Sequence, residues 1–165
     1  MFIIDFDDTL FDTHGFKQVL TNLPEDLYKE SEKIKNFLFP ETISFLEFLK
    51  ETNQPIVLLS LGEDNWQKMK IDITGIAKFF HSIHITAEDK ELSVSKILND
   101  FTAEKDIWFI NDKIEETKKI IQHFPSLKPI LKMSPRWPEE EYKLSLMPYF
   151  SSLIEIQQYV KQQIK

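Results

Sequence analysis

Phe2-Ile3-Ile4-Asp5-Phe6-Asp7-Asp8-Thr9-Leu10 governs how the rest of the chain is read. An apolar run leads into three carboxylates, Asp5, Asp7 and Asp8. The apolar part has no polar alternation, which predicts a strand buried on both faces. The acidic part falls where that strand would end, and open α/β sheets bind ligands at the carboxyl ends of their strands. Asp5 and Asp7 are two apart, so an extended backbone turns them the same way. Clustered carboxylates repel one another, and burial makes their ionised forms costly. A hard divalent cation relieves both, and magnesium takes carboxylate oxygens together with water and substrate phosphate. The plainer reading is an acidic turn that ends a strand, since Asp is common in turns.

Four more apolar runs read as strands of the same kind: Ile56–Leu59, Ser82–Ile85, Ile107–Ile110 and Pro129–Leu131. Helical patterns lie between them. Glu41–Lys50 carries an inward stripe of Ile43, Phe45, Leu46 and Leu49. Glu63–Ile73, Leu92–Leu98 and Ile114–Phe124 have the same character, and Ser151–Ile164 reads as a final amphipathic helix. Trp137-Pro138 and Met147-Pro148 break up the stretch before it. Strands alternating with helices predict βαβ units, hence an α/β fold with a doubly wound parallel sheet of about five strands. Phe11–Phe39 departs from this rhythm, with helical material at Phe16–Leu20 and Glu25–Phe39 and no strand signal. It is expected to form a small helical cap, 11–39, inserted in a single domain spanning 1–165.

The length, 165 residues, with 42% hydrophobic and 28% charged residues, suits one globular domain with a real core. No cysteine occurs, so thiolate metal sites, disulfides and cysteine nucleophiles are excluded. No apolar run reaches membrane-spanning length, and Met1–Asp5 has no basic leader, so a cytoplasmic protein without a membrane partner is expected. The net charge of −7 disfavours nucleic acid as a partner but not a small phosphate ester. Arg136 is the single arginine, which leaves little scope for a bidentate clamp on phosphate.

Asp5-Phe6-Asp7-Asp8-Thr9-Leu10 resembles the first motif, DxDxT, of the haloacid dehalogenase (HAD) superfamily, in its phosphatase type with a short cap. The family's later motifs can be placed in order at later strand ends. Ser60, in Leu58-Leu59-Ser60-Leu61-Gly62, resembles the second. Lys90 resembles the third, with Lys96 as the alternative. Asn111-Asp112-Lys113-Ile114-Glu115-Glu116 resembles the fourth, usually GDxxxD, with Asn111 for the usual Gly and Glu116 for the commoner Asp. The resemblance covers roughly residues 1–131. It implies a Rossmann-like HAD fold and a Mg²⁺-dependent phosphatase. Asp5 would be the nucleophile that becomes phospho-aspartate, and Asp7 the general acid and base. Ser60 and Lys90 would complete the phosphoryl pocket. The metal would be held by Asp5, the Asp7 backbone carbonyl, Asp112 and Glu116. Asp8 stands where the family often has Gly.

Rival readings remain. A dehalogenase needs the Asp5 nucleophile but has no use for a metal or for Asp7 as an acid. A phosphotransferase of the same superfamily usually needs a larger cap to exclude water. From a different class comes a non-catalytic regulatory or binding module, which would be expected to have lost one of Asp5, Asp7 or Asp112. A receiver domain carries its acceptor Asp after the third strand, not the first. The expected partner is a small phosphorylated substrate, with a phosphoprotein as the alternative. His14, Trp66 and Trp137 read as a surface histidine and two packed aromatics.

Overall fold

The computed structural model describes residues 1–19 and 31–164. The chain runs β1 (Phe2–Ile4), α1 (Thr13–Val19), α2 (Ser31–Lys35), α3 (Thr42–Glu51), β2 (Ile56–Leu61), α4 (Asp64–Thr74) and a 3₁₀ turn (Ile76–Phe79). It continues with β3 (Ser82–Thr86), α5 (Lys90–Asp100), β4 (Ile107–Asn111), α6 (Ile114–His123), β5 (Leu127–Lys132), α7 (Glu139–Ser145), β6 (Tyr149–Phe150) and α8 (Leu153–Gln163). The strands form one sheet in the order β3-β2-β1-β4-β5-β6, and every pairing is parallel. All five predicted strands are present. The sixth, Tyr149–Phe150, follows Met147-Pro148 and is too short to show a period. Parallel pairing with β5 makes it a strand.

Period-two alternation sends each strand's residues to two cores. Phe2, Ile4, Ile56, Leu58, Trp108, Ile110 and Ile130 face Phe45 and Leu49 of α3 and Leu153, Ile156 and Val160 of α8. Ile3, Val57, Leu59 and Phe109 face Val94 and Ile97 of α5 and Ile120 of α6. Both faces of the central strands are therefore dry, which is why their sequence is almost continuously apolar. Helix ends are set locally. Glu63 accepts from the backbone of Asn65 and Trp66 to start α4, and Gly75, at φ 70°, ends it in the left-handed conformation. Ser152 and Glu155 form a capping box at α8.

The turn after β1 is tied by Leu10 N and Phe11 N, both donating to Phe6 O. Asp8 takes a left-handed φ of 60° there, which accounts for a position that glycine would otherwise suit. The segment that leaves at Phe11 returns at Leu38 beside it, and Asp12 N donates to Phe37 O while Phe39 N donates to Leu10 O. Pinning the two ends together lets 11–39 emerge from the sheet without disturbing it. Phe16 packs on Phe11, Phe37 and Trp66, which rests the described part of this segment on α4. Residues 20–30, where the predicted helix Phe16–Leu20 ends and Glu25–Phe39 begins, lie outside the described residues. The latter helix ends at Lys35 rather than Phe39, because Leu38 pairs back with Phe11. Trp66 is packed as expected, whereas Trp137 is exposed, on the loop after β5.

Candidate active site

In the order 3-2-1-4-5-6 the connections reverse direction between β1 and β4, and the crevice outside those strand ends is the place for a ligand. Asp5 lies there, one residue past β1, with its N–H still donating to Ile110 O of β4 at 2.9 Å. It is buried, and so is Lys90, the first residue of α5. Lys90 Nζ donates to Asp5 Oδ1 at 2.6 Å and lies 2.8 Å from Glu116 Oε2. Burial alone would lower Lys90, but the carboxylates of Asp5 and Glu116 outweigh it and hold the ammonium above its ordinary range. Burial pushes the Asp5 carboxyl up against the opposing pull of Lys90, and the charges of Asp7 and Glu116 add to the rise. Lys96 stands elsewhere, in a groove beside β3 lined by Asp64, Ile83 and His84. Lys90 is thus the lysine that reaches Asp5.

Glu116 is turned toward Lys90 and Asn111. Its Oε2 faces Lys90 and accepts from Asn111 Nδ2 at 2.9 Å, and its Oε1 lies 3.7 Å from Lys113 Nζ. The reason is Asn111. Where glycine would offer nothing, its amide bridges Glu116 and Thr117 Oγ1, and its carbonyl oxygen accepts from Lys90 at 3.4 Å. Glu116 is thus the second counter-charge of Lys90.

Asp112 has the opposite environment. It is fully buried, and neither carboxylate oxygen receives a hydrogen bond. Burial, then the charges of Asp5 and Asp8, pushes its carboxyl up to about 8. Its backbone is fixed by Tyr142, whose hydroxyl donates to Asp112 O at 3.2 Å and accepts from Ser134 N at 2.9 Å. Ser60, buried in β2, also has an unpartnered hydroxyl. Asp5 Oδ2 receives only a long bond of 3.4 Å from Thr9 Oγ1. Among the described residues no three acidic, histidine or cysteine side chains converge into a metal cage. Magnesium does not require one: it binds through one or two carboxylates and keeps water and phosphate oxygens. The orphaned oxygens of Asp112, with Asp5 Oδ2, are a donor set that fits it.

Asp7 sits at the edge of this crevice and is held on both oxygens. Thr13 Oγ1 and Lys70 Nζ donate to Oδ1, and Gln67 Nε2 donates to Oδ2 at 2.6 Å. Burial raises its carboxyl, but the charge and hydrogen bond of Lys70, with the bonds from Thr13 and Gln67, bring it below the ordinary range. Asp8 is buried, with Oδ1 accepting from His14 N at 2.9 Å. Arg136 Nη2 approaches Asp8 Oδ2 at 2.6 Å, a charge contact outside hydrogen-bond geometry. The His14 ring itself meets Gln18.

Gln67, Lys70 and Arg136 carry no motif, and sequence reading passes over them. A signal for the first two exists. Gln67, Lys70, Ile71 and Thr74 are spaced i, i+3, i+4, i+7, so the two polar residues share the buried face of α4.

No family model matches the sequence, and no curated protein matches it. Solved structures do match in shape. A haloacid dehalogenase-like hydrolase from Burkholderia xenovorans LB400 is 17% identical with a TM-score of 0.72, over 95% of this chain and 94% of that one. A HAD-superfamily hydrolase from Ehrlichia chaffeensis is 19% identical with a TM-score of 0.68, over 99% and 97%. The HAD-hydrolase YfnB from Bacillus subtilis, bound to magnesium, is 12% identical with a TM-score of 0.64, over 96% of each chain. The sheet order, with its strand-end crevice, and these likenesses give the chain the fold of the haloacid dehalogenase-like hydrolases.

Proposed function

We propose that the chain is a magnesium-dependent phosphohydrolase acting on a phosphate monoester through a phospho-aspartyl intermediate on Asp5. The observation that carries this reading is Asp112, a fully buried carboxylate with two unpartnered oxygens beside the Asp5 site. A cation bound there would offset the cost of so buried a group, and phosphoryl transfer uses one. Asp5 and Asp112 would hold magnesium, with the backbone carbonyl of Asp7. The ion would screen the two anions that must meet and would stabilise charge on the phosphoryl oxygens.

One oxygen of Asp5 attacks phosphorus, and the bond from phosphorus to the leaving oxygen breaks. Asp7 gives that oxygen its proton. Water then attacks the phosphorus, Asp7 takes the water's proton, and the bond to Asp5 breaks to release inorganic phosphate. The proton gained in the second step replaces the one spent in the first. The buried Ser60 hydroxyl would donate to a phosphoryl oxygen. Lys90, held between Asp5 and Glu116, keeps the nucleophile oriented and offsets its charge. The substrate is proposed to be a small phosphorylated metabolite.

Hydrolysis of an aryl phosphate with and without Mg²⁺, beside the Asp5→Asn variant, tests the reading. Metal-dependent turnover lost in the variant is expected. Turnover that survives in the variant removes Asp5 as the nucleophile.

A further inference from the structure

Lys70 is buried in α4, 63 residues from Asp7 in sequence, with its ammonium against the Asp7 carboxylate. The ammonium lies 5.1 Å from the centre of the Phe6 ring and 5.3 Å from that of Phe11, so two aromatic rings also hold it. Gln67, one turn earlier on the same face, donates to Asp7 Oδ2 at 2.6 Å and to Leu61 O at 3.0 Å. Leu61 O is the end of β2, so Gln67 ties Asp7 to the rigid sheet. The approach is close enough to require Gly62, where a Cβ would stand 2.4 Å from Gln67 Nε2. Asp7 remains about one-fifth exposed at its side chain. It is therefore reachable by water while both its oxygens are held.

An ammonium can only donate, and so can the amide nitrogen of Gln67. A carboxylate that accepts from them on both oxygens is held in one orientation. With a leaving group that departs without a proton, that orientation bears only on the half-reaction in which water is deprotonated. We propose that Lys70, assisted by Gln67, is a positioning residue that fixes Asp7 as the base for hydrolysis of the phospho-aspartyl intermediate. This rests on the phosphohydrolase reading above. Loss of Lys70 then leaves formation of the intermediate with a good leaving group nearly intact and slows its breakdown, so a hydrolase becomes an enzyme that stalls phosphorylated.

The test compares wild type, Lys70→Met, Gln67→Leu and Asp7→Asn on 2,4-dinitrophenyl phosphate with saturating Mg²⁺. Steady-state kinetics are combined with acid-quench measurement of protein-bound phosphate. Lys70→Met keeps a side chain of similar length between Phe6 and Phe11, and Gln67→Leu leaves the ammonium in place. Expected for Lys70→Met is a fall in kcat of about 10²-fold with kcat/KM changed about threefold or less, and a rise in bound phosphate toward one per chain. Gln67→Leu should move the same way by a smaller factor. A fall of kcat and kcat/KM together, without bound phosphate, in both variants while Asp7→Asn does accumulate it, overturns the role of Lys70 and leaves the phosphohydrolase reading standing. If Asp7→Asn loses turnover without accumulating phosphate, the base assignment falls and that of Lys70 with it. Wild type that turns over without bound phosphate in any variant removes the intermediate itself.

Discussion

Replacing Asp112 with Asn should make the metal-free protein more stable, and increasingly so as pH rises. The carboxyl is buried, receives no hydrogen bond, and has a native pKa of about 8 against an ordinary 3.8. Below the ordinary value it is neutral in both states and costs nothing. As pH rises from there the unfolded chain ionises while the native chain keeps its proton, so stability falls by about 1.4 kcal/mol per pH unit until the native carboxyl ionises. Over the whole window the loss is on the order of 5 kcal/mol. Between pH 6 and pH 8 it is about 2.3 kcal/mol, since the native carboxyl is half ionised at the upper end, or roughly 5–9 °C in Tm for a chain of this size. Asn carries no charge and can donate to the neighbouring Asp5 or Asp8 carboxylate. Titrating groups away from Asp5 and Asp8 act equally in both proteins, so the quantity to read is the difference in Tm between wild type and Asp112→Asn, by thermal melts in chelator from pH 5 to 9. Mg²⁺ at a hundred times its Kd should raise the wild-type stability by about 2.7 kcal/mol and leave the variant unmoved. Parallel Tm curves for the two proteins, or equal stabilisation by Mg²⁺, would refute both the buried-charge argument and the placement of the metal.

Lys90→Met removes the cation shared by Asp5 and Glu116 and leaves one buried and one partly buried carboxylate without it. A loss of about 3–5 kcal/mol is expected, and denaturant unfolding within 1 kcal/mol of wild type would contradict it. Gly62→Ala should drive Gln67 away from Asp7 and Leu61 O. It should cost about 1–2 kcal/mol in chemical denaturation together with a share of the turnover. Ser152→Ala removes one half of the α8 capping box, and calorimetry should show a loss of about 1 kcal/mol with turnover unchanged.

The central strands were legible because burial on both faces leaves its mark along them, whereas β3, expected to be of the same kind, lies at the sheet edge with no buried residue. Phe2–Ile4 and Ile107–Asn111 are apolar nearly throughout, since neither face meets water. β6 was not legible, because two residues held by pairing to β5 carry no period of their own. Neither was α7, whose buried residue is Tyr142, packed with Ile114, Leu131 and Met147 and against the ring of Tyr149 on β6.

At the site, carboxylates that directly follow apolar strands stood out in one dimension. Asp5, Asp7 and Asp112 mark strand ends by composition alone. The partners did not stand out, because nothing local distinguishes a lysine that pairs from one that is solvated. Lys90 is recognised over Lys96 only when β3 and β1 place α5 so that its first residue meets Asp5, 85 positions away. Lys70 is separated from Lys68 by a single residue, yet one is buried on Asp7 and the other is exposed beside Asp64. Helical phase decides that difference, and it matters only once β2 and β1 are neighbours. Glu116 shows the same limit from the other side, since nothing local to it announces the Asn111 amide and the Lys90 ammonium that meet its Oε2. The sequence by itself determined the α/β class, the five longer strands and the residues at their ends, because hydrophobic period and strand-end chemistry are local. Only the tertiary structure decided which charges meet, because ion pairs at hydrogen-bond distance depend on strand order and helix phase, which bring together residues that the chain keeps far apart.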